Sequence, residues 1–129
     1  MASDAEVIDW DEAMQQCGDD EEFLRELLDD LRSETDTQME KMAEVLKTPD
    51  DSCFVQIMRA AHVIKGAASN LMCGDLRKCA TELETASNTA SKENKDHKDE
   101  EIMKSLKEKF EALEKAVKNY HEYLEKVEV

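Results

Sequence analysis

From Met103 to Val127 the apolar residues fall at alternating intervals of three and four: Met103, Leu106, Phe110, Leu113, Val117, Tyr120, Leu124 and Val127. Only one face of an α-helix returns at that interval, so this stretch is predicted helical from about residue 99 to 127. The same alternation runs through Phe54, Ile57, Ala61, Ile64, Ala68 and Leu71. A looser helical period links Phe23, Leu24, Leu27, Leu28, Leu31, Met39, Met42 and Leu46, and a shorter one Leu76, Cys79, Ala80, Leu83, Ala86 and Ala90. With 3 Gly, 1 Pro and 5% aromatics, the chain lacks the turn residues and strand formers of a sheet protein. The fold class is all-α.

Punctuation places the boundaries. Residues 1–6 read as a loose acidic start. Asp9 with Glu12 forms a capping arrangement for a short helix carrying Trp10, Ala13, Met14 and Cys17, and Gly18 is its stop. A long helix opens near Asp19 or Asp20 and runs to about Lys47; the polar run SETDTQ weakens its period without breaking it. Thr48-Pro49-Asp50-Asp51 is a stop and restart, with Thr48 as cap and Pro49 suited to a first helical position. Another boundary falls at Cys73-Gly74-Asp75, and the polar stretch 88–99 reads as a frayed helix end and flexible loop. The 129 residues suffice for one domain. The expected architecture is an antiparallel four-helix bundle, up-down-up-down, with the additional short N-terminal helix across one end.

The formal net charge of −15 argues against nucleic acid and anionic lipid as partners. Its distribution says more. Residues 1–52 hold 18 acids and 4 bases, and residues 82–129 hold 13 acids and 9 bases. Residues 53–81 hold only Asp75 against Arg59, Lys65, Arg77 and Lys78, a basic island that suits an anionic partner. Cys17, Cys53, Cys73 and Cys79 show no paired metal-ligand spacing, so buried free thiols and a reducing compartment are expected. The opening residues lack a signal-peptide pattern, and no run reaches the length of a membrane span. Cytoplasm is the expected location, with the nucleus open to so small a chain, and a monomer is the default.

The chemistry lies on the solvent side of the helix after Pro49. At about 100° per residue, His62 projects roughly 130° from the centre of the apolar stripe. Arg59, Lys65, Gly66, Ser69 and Val55 share its face. A helix-interior glycine costs about 1 kcal/mol relative to alanine, and on a solvent face it gains nothing for packing. Its use there is access, allowing another molecule to approach His62. A neutral imidazole in water is a competent nucleophile at cellular pH. A phosphoryl group on its ring adds about two negative charges, which Lys65, Arg59 and the Ser69 hydroxyl could offset. No P-loop, glycine-rich nucleotide loop or carboxylate cluster for Mg²⁺ is apparent. The chain therefore reads as a carrier of the group and not an enzyme, with no catalytic or metal-binding residues of its own.

The run Ala61-His62-Val63-Ile64-Lys65-Gly66-Ala67-Ala68-Ser69-Asn70-Leu71 resembles the signature of the histidine-containing phosphotransfer (HPt) family. Leu76, Cys79, Leu83 and Glu84 are similar to the pattern of that family's following helix, and FLRELLDDL to the stretch before the phosphohelix. The resemblance covers nearly the whole chain. It implies a phosphorelay protein that accepts a phosphoryl group on His62 from the aspartyl-phosphate of one receiver domain and donates it to another. It further implies that Lys65 neutralises the group, that Gly66 gives the receiver room, and that Val55, Met58 and the short first helix belong to a docking patch. Glu84 occupies the position where some members carry a glutamine that orients the histidine. The implied partners are receiver domains of hybrid histidine kinases and response regulators, with Mg²⁺ on their side and no cofactor here. A chain lacking receiver or kinase segments implies a diffusing shuttle. One departure stands out: the family usually has glycine ten residues after the histidine, and Met72 stands there, which predicts a helix longer by a turn or a shifted exit.

Two alternatives come from other classes. An acidic bundle could dock a basic partner without carrying phosphate, although the basic island beside His62 counts against it. A metal or redox site using His and Cys would need four zinc ligands, and the sequence does not assemble them. His97, in the polar loop, and His121, beside the last helix's stripe, read as structural or neutral.

Overall fold

The structure, a computed structural model, describes residues 4–129, and among them all regular elements are helices. They are α1 (Asp4–Val7), α2 (Trp10–Gln16), α3 (Glu21–Lys47), α4 (Cys53–Asn70), α5 (Gly74–Lys92) and α6 (Glu100–Lys126). The four long helices close a ring of neighbours: α3 lies against α4, α4 against α5, α5 against α6 and α6 against α3. Helix α2 rests on α3, and α1 on α5 and α6. No helix among the described residues is long and apolar enough to cross a membrane.

Three starts follow the capping logic of the sequence. Asp9 accepts a hydrogen bond from the Glu12 N–H at 3.1 Å, Asp20 from Phe23 at 3.0 Å, and Asp99 from Glu101 and Ile102 at 3.1 and 3.2 Å. Acids fill the first turn of each, where the helix dipole favours them. The apolar stripes then meet in one core. Ile57, Ala61, Ile64 and Ala68 of α4 are fully buried against Leu24 and Leu28 of α3, Leu76, Ala80 and Leu83 of α5, and Leu113, Tyr120 and Leu124 of α6. The hydroxyl of Tyr120 donates to the Leu28 carbonyl at 2.6 Å, so the one polar atom of that ring is satisfied inside the core. Thr35 and Gln38 of the SETDTQ run turn inward and are buried, and α3 passes through them unbroken.

The ends depart from the sequence expectations in informative ways. Residues 1–3 lie outside the described residues, but 4–7 are helical, not loose. Burial of Val7 and Ile8 holds them, as do a 2.6 Å contact of Lys126 Nζ with Asp4 and a bond from the Asp9 N–H to the Met72 carbonyl at 3.0 Å. Pro49 does not start a helix. Thr48 closes α3, and the Asp50 carboxylate accepts from the Ser52 N–H and hydroxyl at 2.9 and 2.7 Å, delaying α4 to Cys53. Helix α5 continues to Lys92, so the loop is 93–99 and not 88–99; Ser87 and Ala90 are buried and extend its core face.

Four helices end the same way, with a left-handed residue just past the last turn and paired bonds back to it. At α2 this residue is Gly18 (φ 66), with Asp19 N–H bonding Met14 O at 2.8 Å. At α4 it is Met72 (φ 58), with Cys73 N–H bonding Ala68 O at 2.9 Å. Asn94 and Glu128 serve α5 and α6. Met72 therefore does what a glycine would do, and α4 gains no extra turn. A left-handed conformation costs a side-chain-bearing residue about 1–2 kcal/mol, offset here by packing of the half-buried Met72 against the core. At Gly18 no such packing would compensate, because a Cβ there meets open space. Gly18→Val is expected to lower stability by about 1–2 kcal/mol in chemical denaturation, with the denaturant slope unchanged.

Candidate functional site

Helix α4 turns its apolar stripe to the core and leaves His62 on the outside, with 67% of the side chain exposed. Helix α5 passes beside it and brings Glu84 across. His62 Nδ1 lies 2.7 Å from Glu84 Oε2, while Lys65 Nζ donates to Glu84 Oε1 at 2.8 Å. One carboxylate thus holds both the imidazole and the ammonium one turn further along α4. Desolvation pushes the Glu84 carboxyl upward. The hydrogen bonds from Lys65 and His62, with their charges, outweigh that and hold it below the ordinary value of 4.5.

That balance fixes a pH dependence. Because the carboxyl is depressed in the folded state, its contribution to stability is complete above the ordinary value and is lost as pH falls through the lowered one. Wild type is therefore expected to lose more stability than Glu84→Gln on acidification from pH 5 to about 3, measured as the shift in thermal midpoint.

Around the ring lies a groove of about 490 Å³ lined by Met58, Arg59, His62 and Val63 of α4 and Glu84, Thr85 and Asn88 of α5. Arg59 is exposed and, among the described residues, forms no ion pair, unlike Lys65. Gly66, one turn past His62, is exposed, and a Cβ built there meets nothing within 4 Å. The fold itself does not require glycine at that position.

The structure thus brings His62, Lys65, Arg59, Met58, Gly66 and Glu84 onto one surface. It does not bring Ser69 into the same groove. Ser69 is half-buried two turns on, in a separate depression with Asp9, Met72 and Arg77. Val55 is half-buried near the start of α4 and lines neither hollow. The short helix α2 contributes Gln16 and Cys17 to a third groove of about 460 Å³, whose apolar wall is Phe23, Leu27, Leu31, Ala67 and Leu71.

Two exposed apolar side chains were not legible as surface residues. Phe23, 46% exposed, is the first residue of the α3 stripe, and Val63, 38% exposed, directly follows the histidine. Periodicity marks an apolar face but does not say where the neighbouring helix stops covering it. For Val63 the only signal was its place beside His62.

The other histidines have different settings. His97 Nδ1 is 3.2 Å from Asp51 Oδ1, where the loop after α5 comes beside the loop before α4. His121 Nε2 lies 3.1 Å from Asp36 Oδ1, between α6 and α3. All four cysteines are free thiols, but only Cys53 and Cys73 are buried; Cys17 and Cys79 are half-buried, and burial pushes the Cys73 thiol up to about 12. Among the described residues no group of His, Cys, Asp and Glu could hold a metal ion.

A nucleophilic ring outside an all-helical core, with one nitrogen tied to a carboxylate and cations alongside, is suited to carrying a phosphoryl group for another protein's active site. Comparison with known proteins bears on this directly. No curated protein and no solved structure gives a match. The family model for the Hpt domain matches residues 26–116, which span α4 and α5 whole and most of α3 and α6. The chain belongs to the Hpt domain family, whose members carry phosphoryl groups on histidine in two-component phosphorelays.

Proposed function

We propose that this chain accepts a phosphoryl group on His62 Nε2 from the aspartyl-phosphate of one receiver domain and donates it to an aspartate of another. The observation that carries the reading is the arrangement of the ring: exposed, with Nδ1 engaged by Glu84 and Nε2 directed away from that bond. The Nε2 lone pair attacks phosphorus, the acyl-phosphate P–O bond breaks, and the receiver's carboxylate departs. The reverse reaction returns the N–P electrons to Nε2. Mg²⁺ belongs to the receiver and supplies charge neutralisation from that side.

Arg59 and Lys65 offset charge on the phosphoryl group. Gly66 leaves the space through which the receiver reaches the ring, with Met58 and Val55 in the docking surface. Val63 extends that surface within the same groove. The four long helices form an antiparallel up-down-up-down bundle, a rigid post from which the histidine projects. The partners are receiver domains of hybrid histidine kinases and response regulators. The protein works as a monomer in the cytoplasm, with access to the nucleus.

Incubation with a radiolabelled, phosphorylated receiver domain and Mg²⁺ tests this. Label should move to the chain, and after denaturation it should survive base and be lost in acid, as a phosphoramidate is. Absence of label with several receivers would contradict the reading and favour a binding module.

A further inference from the structure

The residue opposite His62 is a carboxylate, and both its oxygens are already engaged. Oε1 takes the Lys65 ammonium at 2.8 Å, and Oε2 lies 2.7 Å from His62 Nδ1. An ionised carboxylate only accepts hydrogen bonds, so at that distance the proton between the two must sit on Nδ1. The unphosphorylated ring is thereby fixed in the tautomer whose Nε2 carries the lone pair. The charged groups facing the ring are Arg59 and Lys65 from its own helix and Glu84 from α5; Thr85 and Asn88 complete the α5 side.

The same geometry has a consequence once Nε2 carries phosphorus. A deprotonated Nδ1 would then set a lone pair against Oε2 with no proton between them. A glutamine could avoid this by turning its NH₂ toward the ring; Glu84 has no donor to turn. We infer that Glu84 is a positioning residue that keeps the Nδ1 proton in place in both the bare and the phosphorylated carrier, so that transfer in either direction moves no proton.

The inference rests on the phosphotransfer reading and adds a property to it. With Nδ1 protonated, the phosphorylated ring is an imidazolium, and breaking the N–P bond releases neutral imidazole. Without that proton the leaving group would be imidazolate, a far poorer one. The electrons of the N–P bond return to Nε2, phosphorus passes to the acceptor's carboxylate oxygen, and the Nδ1 proton stays where it was. The carrier therefore holds its phosphoryl group in the readily transferable form across neutral and mildly alkaline pH, a bias toward donation built into α5.

The test uses phosphoramidate as a chemical phosphodonor, followed by the hydrolysis rate of folded phosphorylated chain between pH 6 and 8.5. Wild type is expected to change by less than about threefold over that range, while Glu84→Gln slows by at least about tenfold toward the alkaline end, as its Nδ1 becomes free to deprotonate. Nitrogen-15 spectra of the imidazole in wild type give a second reading that needs no variant: Nδ1 protonated and Nε2 bare before phosphorylation, and Nδ1 still protonated at pH 8 afterwards. Matching hydrolysis profiles for the two proteins, or a deprotonated Nδ1 in phosphorylated wild type, would overturn the inference while leaving His62 as the carrier. Wild type that takes no phosphate from phosphoramidate or from any receiver would overturn the phosphotransfer reading, and the inference with it.

Discussion

Replacing His62 with glutamine is expected to abolish acceptance of phosphate from a phosphorylated receiver, to below the detection limit of a labelling assay, while the fold survives. The separation of the two effects follows from position. The ring is mostly exposed and lies on the side of α4 opposite Ile57, Ala61 and Ile64. Among the described residues its hydrogen-bond partner is Glu84, which keeps Lys65 when the ring is gone. Stability should move by less than about 1 kcal/mol, the usual scale for surface changes that break no buried network. Helical content by circular dichroism and the thermal midpoint check that half. The chemical half is absolute, because glutamine offers no nucleophilic nitrogen. His97 and His121 lie beside carboxylates of neighbouring segments, outside the His62 groove, and should not substitute.

Gly66→Trp is expected to cut transfer from a receiver by at least about a hundredfold, because misplacing reacting groups by an ångström costs on that scale. The side chain would rise from an open surface one turn past His62, where a Cβ meets nothing within 4 Å. It would stand in the path of a folded partner but not of a small molecule. Phosphorylation by phosphoramidate should therefore stay within about twofold of wild type. Gly66→Ala makes the complementary point. It adds no bulk that blocks approach and removes a glycine from a helix interior, so stability should rise by about 0.5–1 kcal/mol. Parallel losses with receiver and with phosphoramidate in Gly66→Trp would mean that the glycine serves the ring itself and not the partner's access.

The helices were legible because their information is local and repeated. Eight apolar positions at alternating spacings fix α6, and Asp9 and the pair Asp19 and Asp20 announce two starts. What escaped was set by tertiary structure. Nothing local marks 4–7 as helical; Val7 and Ile8 are ordered by what they pack against. Met72, Asn94 and Glu128 accept left-handed conformations that Gly18 alone advertised, so the end of α5 was read too early and the exit of α4 too late. Pro49 carried a real helix-start signal, and the Asp50–Ser52 turn overrode it.

The site divides the same way. His62, Arg59, Lys65 and Gly66 share one helix face, and helical geometry alone relates them. Glu84 is 22 residues from His62, and no periodicity within α4 points to it; only the resemblance to the family did. Its engagement of both His62 and Lys65 at once required the packing of α4 on α5. Ser69 shares a face with His62 by angle, but the end of α4 carries it into a different depression.

The central claim is that phosphate resides on one particular nitrogen. Phosphorus–nitrogen coupling in the phosphorylated, nitrogen-15-labelled chain, with histidine rings assigned, measures this most directly. A single coupled ring, His62 through Nε2, is the predicted result. Coupling at His97, at His121 or at His62 Nδ1, or phosphate on a residue other than histidine, would contradict it.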